Sequence, residues 1–388
     1  MIYFHWIAGI SLALIWFSRL LDAALGMPKV ADIALETWHR TPPNHPRVSI
    51  IVPARNEEDH VEQSLMQLLE LSYENYEVIA VNDRSTDRTG EVMDRVASAP
   101  AAHGRLRVMH VAELPPDWLG KAHAMWTGAN HANGDWLLFT DADVRFRPDV
   151  LNRVLSYAAC EQADHVVLFP RLVMRGVGEK MMIAFFQTLF VFGHRPWKVA
   201  DPRTKDHMGI GAFNLVRRSV YEAIGTYAAL RWEVLDDMKL GKLIKNAGYT
   251  QRNVYGHNLI SLRWAQGALG VVRNLTKNMF AIVSFQWWRA LASALVMVFL
   301  NLLPFAGVFL AHGWARAPYA VALASMLGIY VGMSWMSDVP AYYFFLHPVS
   351  STLFVYILLR STLLTLARGG VTWRGTFYPL DKLRKGMV

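Results

Sequence analysis

Apolar segments at both ends of the chain constrain its fold most strongly, because they are long enough to cross a membrane. The first runs from Ile2 to Ser18. No basic region precedes it and no small-residue cleavage site stands out, so it predicts a retained membrane anchor. Arg19 and Asp22 lie three residues apart on one helix face, which allows the span to extend to Leu25.

Three further apolar segments follow Arg289, and none of them contains Asp, Glu, Lys or Arg. They are Ala290–His312, Pro318–Met336 and Ala341–Leu359. Their length and composition are typical of transmembrane helices.

The sequence therefore predicts three regions, of which two lie in the membrane and one lies in water. We expect an N-terminal transmembrane anchor over residues 1–26, a catalytic domain over residues 47–280, and a C-terminal transmembrane region with a basic tail over residues 285–388. The 388 residues suffice for one domain of ordinary size and several spans.

Basic residues predict how the chain is oriented. Arg273, Lys277 and Arg289 flank the point where the domain meets the apolar region, which predicts a cytosolic catalytic domain on an inner or plasma membrane. Three full C-terminal spans would then place the basic tail outside, against the positive-inside rule. One segment is therefore expected to be re-entrant or interfacial, and His347-Pro348 makes the third the best candidate.

Charge and cysteine content narrow the class of partner. The net charge is +8, but no basic stripe with interleaved aromatic residues occurs, so we expect the lipid bilayer and no nucleic acid as a partner. Cys160 is the one cysteine, so no internal disulfide can form.

The middle of the chain alternates short apolar runs with helical spacing, which predicts an α/β fold with a mostly parallel sheet. The expected strands are Val48–Val52, Tyr76–Val81, Leu106–Val111 and Trp136–Thr140, and the expected helices are Glu57–Leu71, Asp87–Val96 and Lys121–His131. Asn56 is expected to cap the first of these helices.

Two carboxylates, Asp141 and Asp143, follow the fourth strand. The carboxyl ends of parallel strands are where α/β folds bind ligands. Close carboxylates favour a hard divalent cation between them, so the pair indicates Mg²⁺ or Mn²⁺. The alternative is a strand end followed by an aspartate that caps a helix near Pro148, and the spacing alone does not separate the two.

Two other strand ends carry polar residues. Asp83 ends the second strand, where a carboxylate can bind a base or ribose, although a capped loop is an alternative explanation. The first strand runs into Pro53-Ala54-Arg55-Asn56-Glu57. Together the three strand ends predict one crevice.

In this order, the three motifs resemble the family 2 glycosyltransferases with a GT-A fold, over about residues 47–280. The resemblance implies a nucleotide-sugar donor and, from the membrane-spanning ends, the branch that glycosylates membrane lipids. It implies a UDP-sugar as the donor, bound by Pro53, Ala54, Arg55, Glu57, Asp83, Lys121 and Asp141. It implies that Asp141 and Asp143 bind the metal. It also implies that Asp237, beside Asp236, is the catalytic base.

The acceptor side matches less completely. Gly209–Asn214 is similar to a glycine-rich acceptor strand of the family, and Asn214, Arg263, Trp264 and Arg273 are candidates for binding the acceptor or the diphosphate. Processive members carry Q-x-x-R-W, but here Ile260 stands three residues before Arg263. Interfacial anchoring by these cations and the tryptophan is an equal alternative.

The apolar run from Met181 to Phe192 is expected either to dip into the bilayer beside a lipid or to form a buried helix. The functional hypothesis is an inverting, metal-dependent transfer of sugar to a membrane lipid. A processive polysaccharide synthase and a catalytically silent nucleotide-sugar-binding membrane protein are the competing hypotheses.

Overall fold

The computed structural model describes residues 2–102 and 104–387. The chain divides into two compact units. The helical unit contains the chain up to Lys29, Leu172–Trp197 and Arg263–Arg384, and the sheet unit contains Val30–Arg171, Lys198–Leu262 and the chain from Lys385. Residues 172–197 and 263–280, which the sequence assigned to the catalytic domain, thus belong with the apolar helices.

The described residues contain these strands: β1 Ala31–Asp32, β2 Val48–Ala54, β3 Tyr76–Asp83, β4 Leu106–Val111, β5 Trp136–Phe139, β6 Arg145–Phe146, β7 His165–Leu168, β8 Arg171–Leu172, β9 Asn214–Arg217, β10 Gln251–Tyr255, β11 Ile260–Leu262, β12 Gly370–Trp373 and β13 Thr376–Pro379. They contain these α-helices: α1 Ile2–Gly26, α2 Val61–Leu69, α3 Thr89–Ser98, α4 Gly120–Asn130, α5 Val150–Cys160, α6 Val177–Gly193, α7 Arg218–Ala223, α8 Asp236–Asn246, α9 Gly267–Thr276, α10 Met279–Ile282, α11 Trp287–Asn301, α12 Leu303–Leu310, α13 Ala317–Ser334, α14 His347–Arg368 and α15 Leu380–Lys385.

The sheet unit is built on an eight-stranded sheet in the order β1-β10-β7-β9-β5-β2-β3-β4. All neighbours in it pair in parallel except β9, which runs antiparallel between β5 and β7. The prediction of a mostly parallel sheet is confirmed. Every residue of β2 and β5 is buried, as expected for strands covered on both faces.

Pro53 lies inside β2 rather than after it, although β2 is a central strand. Proline cannot donate a ladder hydrogen bond, so it is tolerated only where one side of the strand is unpaired. The pairing of β2 with β5 stops at Ile51, whereas Pro53 pairs only with Val81 of β3. The strand therefore extends two residues beyond the predicted end.

The predicted cap at Asn56 is wrong, and α2 begins later than expected. Asn56 has a positive φ of 53°, and its side-chain oxygen accepts from the backbone N–H of Thr86 at 2.8 Å. The backbone N–H of Glu57 donates to Thr89 Oγ1 at 2.8 Å. These bonds tie the loop after β2 to the loop after β3 and delay the helix until Val61.

The helical unit contains three described helical segments long and apolar enough to cross a membrane: Ile2–Lys29, Gly313–Ser334 and Ala341–Arg368. The predicted extension of the first beyond Ser18 is confirmed, because α1 ends at Gly26. The helix pair α11 and α12 would be a fourth span, but it bends by 47° between Asn301 and Leu303. The sequence did not predict this break.

Helices α1 and α13 pack side by side in the same direction. Gly9 lies against Pro318 and Tyr319 near the start of both helices, and Gly328 lies against Leu20 near their ends. Helices α11 and α14 run in opposite directions, since Asn301 Oδ1 lies 3.1 Å from His347 Nε2 at one end. Near the other end of α14, α10 packs on it through Phe280, whose N–H donates to Ser361 Oγ at 3.0 Å.

Candidate active site

Asp141 and Asp143 follow β5 at the carboxyl end of the sheet, and both side chains are partly exposed. Burial, together with the nearby carboxylates of Asp141 and Glu57, raises the pKa of Asp143 to about 6. The two aspartates therefore concentrate negative charge at one strand end. Such a site favours a bound cation over two ionised carboxylates alone.

Lys121, in the first turn of α4, bridges two of the predicted motifs. Its Nζ lies 2.7 Å from Asp141 Oδ1 and 3.9 Å from Asp236 Oδ1. Burial opposes its charge, but the carboxylates of Asp141, Asp236 and Asp237 raise its pKa above the ordinary value. The lysine therefore stays charged and holds the acidic groups together.

Asp236 and Asp237 begin α8 but have different surroundings. Asp236 is buried, and the hydroxyl of Tyr227 donates to its Oδ2 at 3.4 Å. Burial raises the pKa of Asp236 to about 7, although Lys121 counteracts the shift. Asp237 is partly exposed, and burial also raises its pKa. Asp237 is thus the member of the pair that an incoming molecule can reach.

Gly211 connects Asp141, after β5, to Asp237, at the start of α8. Its N–H donates to Asp237 Oδ2 at 2.8 Å, and its carbonyl accepts from the N–H of Asp141 at 3.0 Å. A Cβ on Gly211 would lie 2.5 Å from Asp141 Oδ2, so a side chain cannot fit. A Cβ on Gly209 would likewise meet the backbone oxygen of Asp237. The sequence analysis identified this glycine-rich stretch but not its role in linking Asp141 to Asp237. The stretch forms a loop before β9 rather than the strand that was expected.

Asp83 ends β3 and is almost fully buried. Arg84 donates to it through Nε at 2.7 Å and Nη2 at 3.2 Å, and Arg55 Nη1 lies 3.7 Å from its Oδ2. A Cβ on Gly120 would meet Asp83 Oδ2, so the start of α4 also approaches this carboxylate closely. The sequence analysis identified Arg55 but missed Arg84. Adjacent charged residues such as Asp83 and Arg84 are common in turns, and the sequence does not show that the fold brings them together as an ion pair.

The other predicted donor residues surround the same strand ends. Pro53 and Ala54 end β2 with Ala54 buried, while Arg55 faces Asp83 and the charge of Glu57 acts on Asp143. The structure thus brings the predicted donor, metal and base residues of the sheet unit into one cluster.

Asn214 does not contact this cluster through its side chain. It is buried at the start of β9, and its Oδ1 lies 2.8 Å from His165 Nε2. His165 Nδ1 lies 2.7 Å from Gln251 Nε2, and Gln251 Oε1 accepts from the N–H of Met208 at 2.7 Å. Burial lowers the pKa of His165 to about 4, so the ring is neutral at physiological pH. This network fastens the backbone just before Gly209.

The remaining acceptor candidates belong to the helical unit. Arg263 Nη2 donates to the buried Glu179 at 2.6 Å, and Trp264 packs against Phe186 with ring centroids 4.9 Å apart. Arg273 is exposed on α9. Arg263 is therefore engaged by a carboxylate, a partner that the sequence pattern did not indicate.

The residues present fit a divalent cation of the magnesium type. Such an ion is commonly bound by one or two carboxylates together with substrate phosphates. Asp141 and Asp143 provide this number of oxygen ligands. Burial first, and then the charges of Asp141 and Glu57, raise the pKa of Asp143, and a cation would neutralise those charges. No cluster of three or more histidine, cysteine or carboxylate ligands occurs in the described part of the chain, so a metal cage made of protein alone is not present there.

Residues 49–225 match the family described as Glycosyl transferase family 2. They form a family 2 glycosyltransferase domain. The match includes the predicted donor and metal residues of this glycosyltransferase, whereas Asp236 and Asp237 lie beyond it. Their assignment to the site therefore depends on the geometry around Lys121 and Gly211.

Curated relatives extend over most of this glycosyltransferase. A 4,4'-diaponeurosporenoate glycosyltransferase of Staphylococcus aureus is 22% identical over 384 residues, covering 95% of this chain and 99% of the relative. The same enzyme from another strain is 22% identical over 350 residues, covering 87% and 90%. Both alignments thus extend beyond residues 49–225.

A solved structure shares the fold. It is a mannosyltransferase from Pyrobaculum calidifontis in complex with GDP-Man and Mn²⁺, 21% identical, covering 93% of this chain and 99% of its own, with a TM-score of 0.54. The predicted GT-A fold is confirmed.

Proposed function

We propose that this glycosyltransferase moves a sugar from a nucleotide-sugar donor, with a UDP-sugar the first to test, to a membrane lipid and inverts the anomeric configuration. One observation carries the proposal. Lys121 and Gly211 hold Asp141 and Asp237 in a single cluster, so donor-binding and proton-accepting groups lie within reach of one sugar. Pro53, Ala54, Arg55, Glu57 and Asp83 form the nucleotide side.

Asp141 and Asp143 would hold Mg²⁺ or Mn²⁺. When bound, the ion supplies positive charge that stabilises the leaving nucleoside diphosphate. Lys121 contributes a second positive charge close to Asp141, and its fixed position needs no rearrangement as charge develops. Asp83, with Arg55 and Arg84 around it, orients the nucleoside.

Asp237 acts as the general base. It takes the proton of an acceptor hydroxyl as that oxygen attacks the anomeric carbon and the diphosphate leaves with its bonding electrons. A single displacement turns an α-linked donor into a β-linked product. The N–H groups of Gly211 and Met238 each donate to one carboxylate oxygen of Asp237 and fix its orientation. Asp236, buried behind it, positions Lys121.

A lipid acceptor is supported by two observations. Both curated relatives are named for diaponeurosporenoate, a lipid-like carotenoid acid. The helical unit contains helices apolar enough to cross a membrane, together with α6 and its apolar run Met181–Phe192. Because Arg263 is engaged by Glu179, the partial Q-x-x-R-W motif adds no support for a processive synthase.

Lipid mass spectrometry tests the proposed reaction. Extracts from cells that express the wild-type chain should contain a glycolipid that is absent from cells expressing Asp237→Asn at equal protein level. The mass difference between product and parent lipid identifies the sugar. An unchanged lipid profile, with a soluble glycan or polymer as the product, would contradict the lipid acceptor.

The packing of the helical unit supports a specific membrane topology. Because α1 and α13 run in the same direction, they cross the membrane in the same direction. The bent pair α11 and α12 then crosses in the opposite direction. α14 begins beside Asn301 at the bend of the α11–α12 pair, and its end packs beside α10, which precedes α11, so α14 starts within the membrane and returns to the side on which α10 lies. This topology makes the third segment re-entrant, one of the two arrangements that the sequence favours, and it leaves the basic tail in the cytosol.

Cys160 provides a native reporter for this topology, because it is exposed in the sheet unit. A membrane-impermeant maleimide should label Cys160 in inverted vesicles but not in intact cells. In a Cys160→Ser background, Asp381→Cys should behave in the same way, whereas His312→Cys should be labelled in intact cells. Labelling of the Asp381→Cys variant from outside would mean that α14 crosses the membrane.

A further inference from the structure

The loop that orients Asp237 packs directly against the helix that carries this residue. A Cβ on Gly209 would meet the backbone oxygen of Asp237, and a Cβ on Gly241 would meet the backbone oxygen of Met208. Two glycines therefore allow the loop before β9 and the first turns of α8 to touch backbone to backbone. Close packing of this kind sets the distance between the two segments, but directional bonds are needed to stop one from sliding along the other.

Gln251, at the start of β10, supplies such bonds through one side chain, which is almost fully buried. Its Oε1 accepts from the N–H of Met208 at 2.7 Å, and its Nε2 donates to the carbonyl of Gly241 at 3.2 Å. A backbone donor on one segment and a backbone acceptor on the other fix which way the amide faces. Gln251 therefore bridges the loop before Gly209 and the second turn of α8.

His165 holds the amide of Gln251 from another side. Its Nδ1 lies 2.7 Å from Gln251 Nε2, and burial lowers the pKa of the ring to about 4, so the ring is neutral. Because Gln251 Nε2 is the donor, the ring carries its proton on Nε2, which donates to Asn214 Oδ1 at 2.8 Å. Every bond in this chain thus joins one donor to one acceptor, which gives the Gln251 side chain a single orientation.

The bridge determines where the N–H group that holds the proposed base lies. Gly211 follows Met208 by three residues and donates to Asp237 Oδ2 at 2.8 Å. Asp141 also bonds to Gly211, but Lys121 holds its side chain at 2.7 Å, and buried β5 ends two residues before it. A shift of the loop would therefore disturb the carboxylate of Asp237 more than the donor side of the site.

We propose that Gln251 is a positioning residue for sugar transfer, which acts through the loop of residues 208–211 to aim the carboxylate of Asp237 at the acceptor hydroxyl. This role rests on the proposed function, because it requires Asp237 to be the base. A misplacement of about 1 Å, caused by a change remote from the reacting atoms, can lower a rate by about 10²-fold. Since Gln251 is buried and acts through the base, its effect belongs in kcat rather than in donor affinity.

Replacing Gln251 by methionine tests the role in the purified full chain, because methionine has a similar shape and cannot make these bonds. Transfer of labelled glucose from UDP-glucose to a lipid extract of the expressing cells gives kcat and the KM for the donor. Gln251→Met should lower kcat about 10–100-fold and change the KM by less than about threefold. Gln251→Glu keeps an acceptor for Met208, so its rate should fall between those of wild type and Gln251→Met, and it serves alone if Gln251→Met does not fold.

Hydrogen exchange measured by mass spectrometry reports the position of the loop without any acceptor. The peptide that contains residues 209–213 should exchange about threefold to tenfold faster in Gln251→Met than in wild type, because the loop loses one buried hydrogen bond. Exchange of this peptide at the wild-type rate would overturn the bridging role whatever the rate of transfer.

Ser49→Ala is the matched control. Ser49 is buried at the amino end of β2, away from the strand ends that form the site, where it donates to Glu77 Oε1 at 2.7 Å and accepts from the N–H of Gly134 at 2.8 Å. The substitution should lower the midpoint of thermal unfolding about as much as Gln251→Met does. Its kcat should stay within about twofold of wild type, and the exchange of the loop should not change.

The double variant Gln251→Met/Asp237→Asn separates this role from the proposed function. If Gln251 acts through Asp237, the double variant should be no more than about twofold slower than Asp237→Asn alone. Losses that multiply, or a Gln251→Met variant no slower than Ser49→Ala, would overturn the positioning role alone. A near-normal rate for Asp237→Asn would instead contradict the proposed base and, with it, this role.

Discussion

Replacing Asp237 by asparagine is expected to lower kcat by about 10²–10⁴-fold, the usual contribution of a positioned general base. Asparagine keeps the shape of the side chain and can still accept from Gly211 or Met238. It cannot take the proton of the acceptor hydroxyl. Initial rates of transfer at saturating donor, measured with the purified variant, test this directly.

Asp94→Asn is the control for Asp237→Asn, because Asp94 is an exposed carboxylate on α3 outside the site. Its rate should stay within about twofold of wild type, as expected for a surface substitution. Transfer by Asp237→Asn at a near-normal rate would remove Asp237 from the role of base and direct attention to Asp236.

Replacing Lys121 by glutamine should lower both stability and activity. The substitution leaves Asp141, Asp236 and Asp237 without the cation that they share. Breaking a buried ion pair costs about 3–5 kcal/mol, and the lower end applies here because one carboxyl can become protonated instead. Thermal unfolding and donor-dependent turnover measure the two effects separately.

The same substitution should change the dependence of activity on pH. Burial raises the pKa of the proposed base Asp237 and Lys121 lowers it, so removal of Lys121 raises that pKa further. The loss of activity on acidification should therefore begin at a higher pH in Lys121→Gln than in wild type. Arg95→Gln, which breaks an exposed pair with Glu62, should change stability by less than about 1 kcal/mol and leave the pH profile unchanged. An identical pH profile in wild type and Lys121→Gln would show that Lys121 does not act on the acidic groups.

The sequence predicted the parts of the fold that are encoded locally. Apolar runs of strand length predicted β2, β3 and β5. The polar residues at the ends of these runs predicted that Asp83 and Asp141 lie at one edge of the sheet. The resemblance to family 2 glycosyltransferases then pointed to Lys121 and Asp237. The strands and their polar ends are visible because each is a short pattern whose physical meaning does not depend on distant residues, whereas Lys121 and Asp237 followed from the resemblance alone.

The contacts that assemble the cluster are not local, so the sequence could not give them. Gly211 meets both Asp141 and Asp237 only because β9 enters the sheet antiparallel to β5. Arg263 is paired with Glu179, which lies far from it in sequence. The bend between α11 and α12 falls just before Pro304, a local signal for a helix break that an analysis by apolar composition alone passed over.

Donor binding tests the central claim most directly: that Asp141 and Asp143 bind the donor through a metal while Asp237, in the same cluster, accepts the proton of the acceptor. Equilibrium binding of a nucleotide sugar would be measured with Mn²⁺ or with a chelator for wild type, Asp237→Asn and the double variant Asp141→Asn/Asp143→Asn. We expect Asp237→Asn to bind the donor within about threefold of wild type in a metal-dependent manner, and the double variant to lose at least about tenfold in affinity because the metal-bound phosphate contacts are lost. Donor binding by the double variant that equals wild type, with or without metal, would contradict the account.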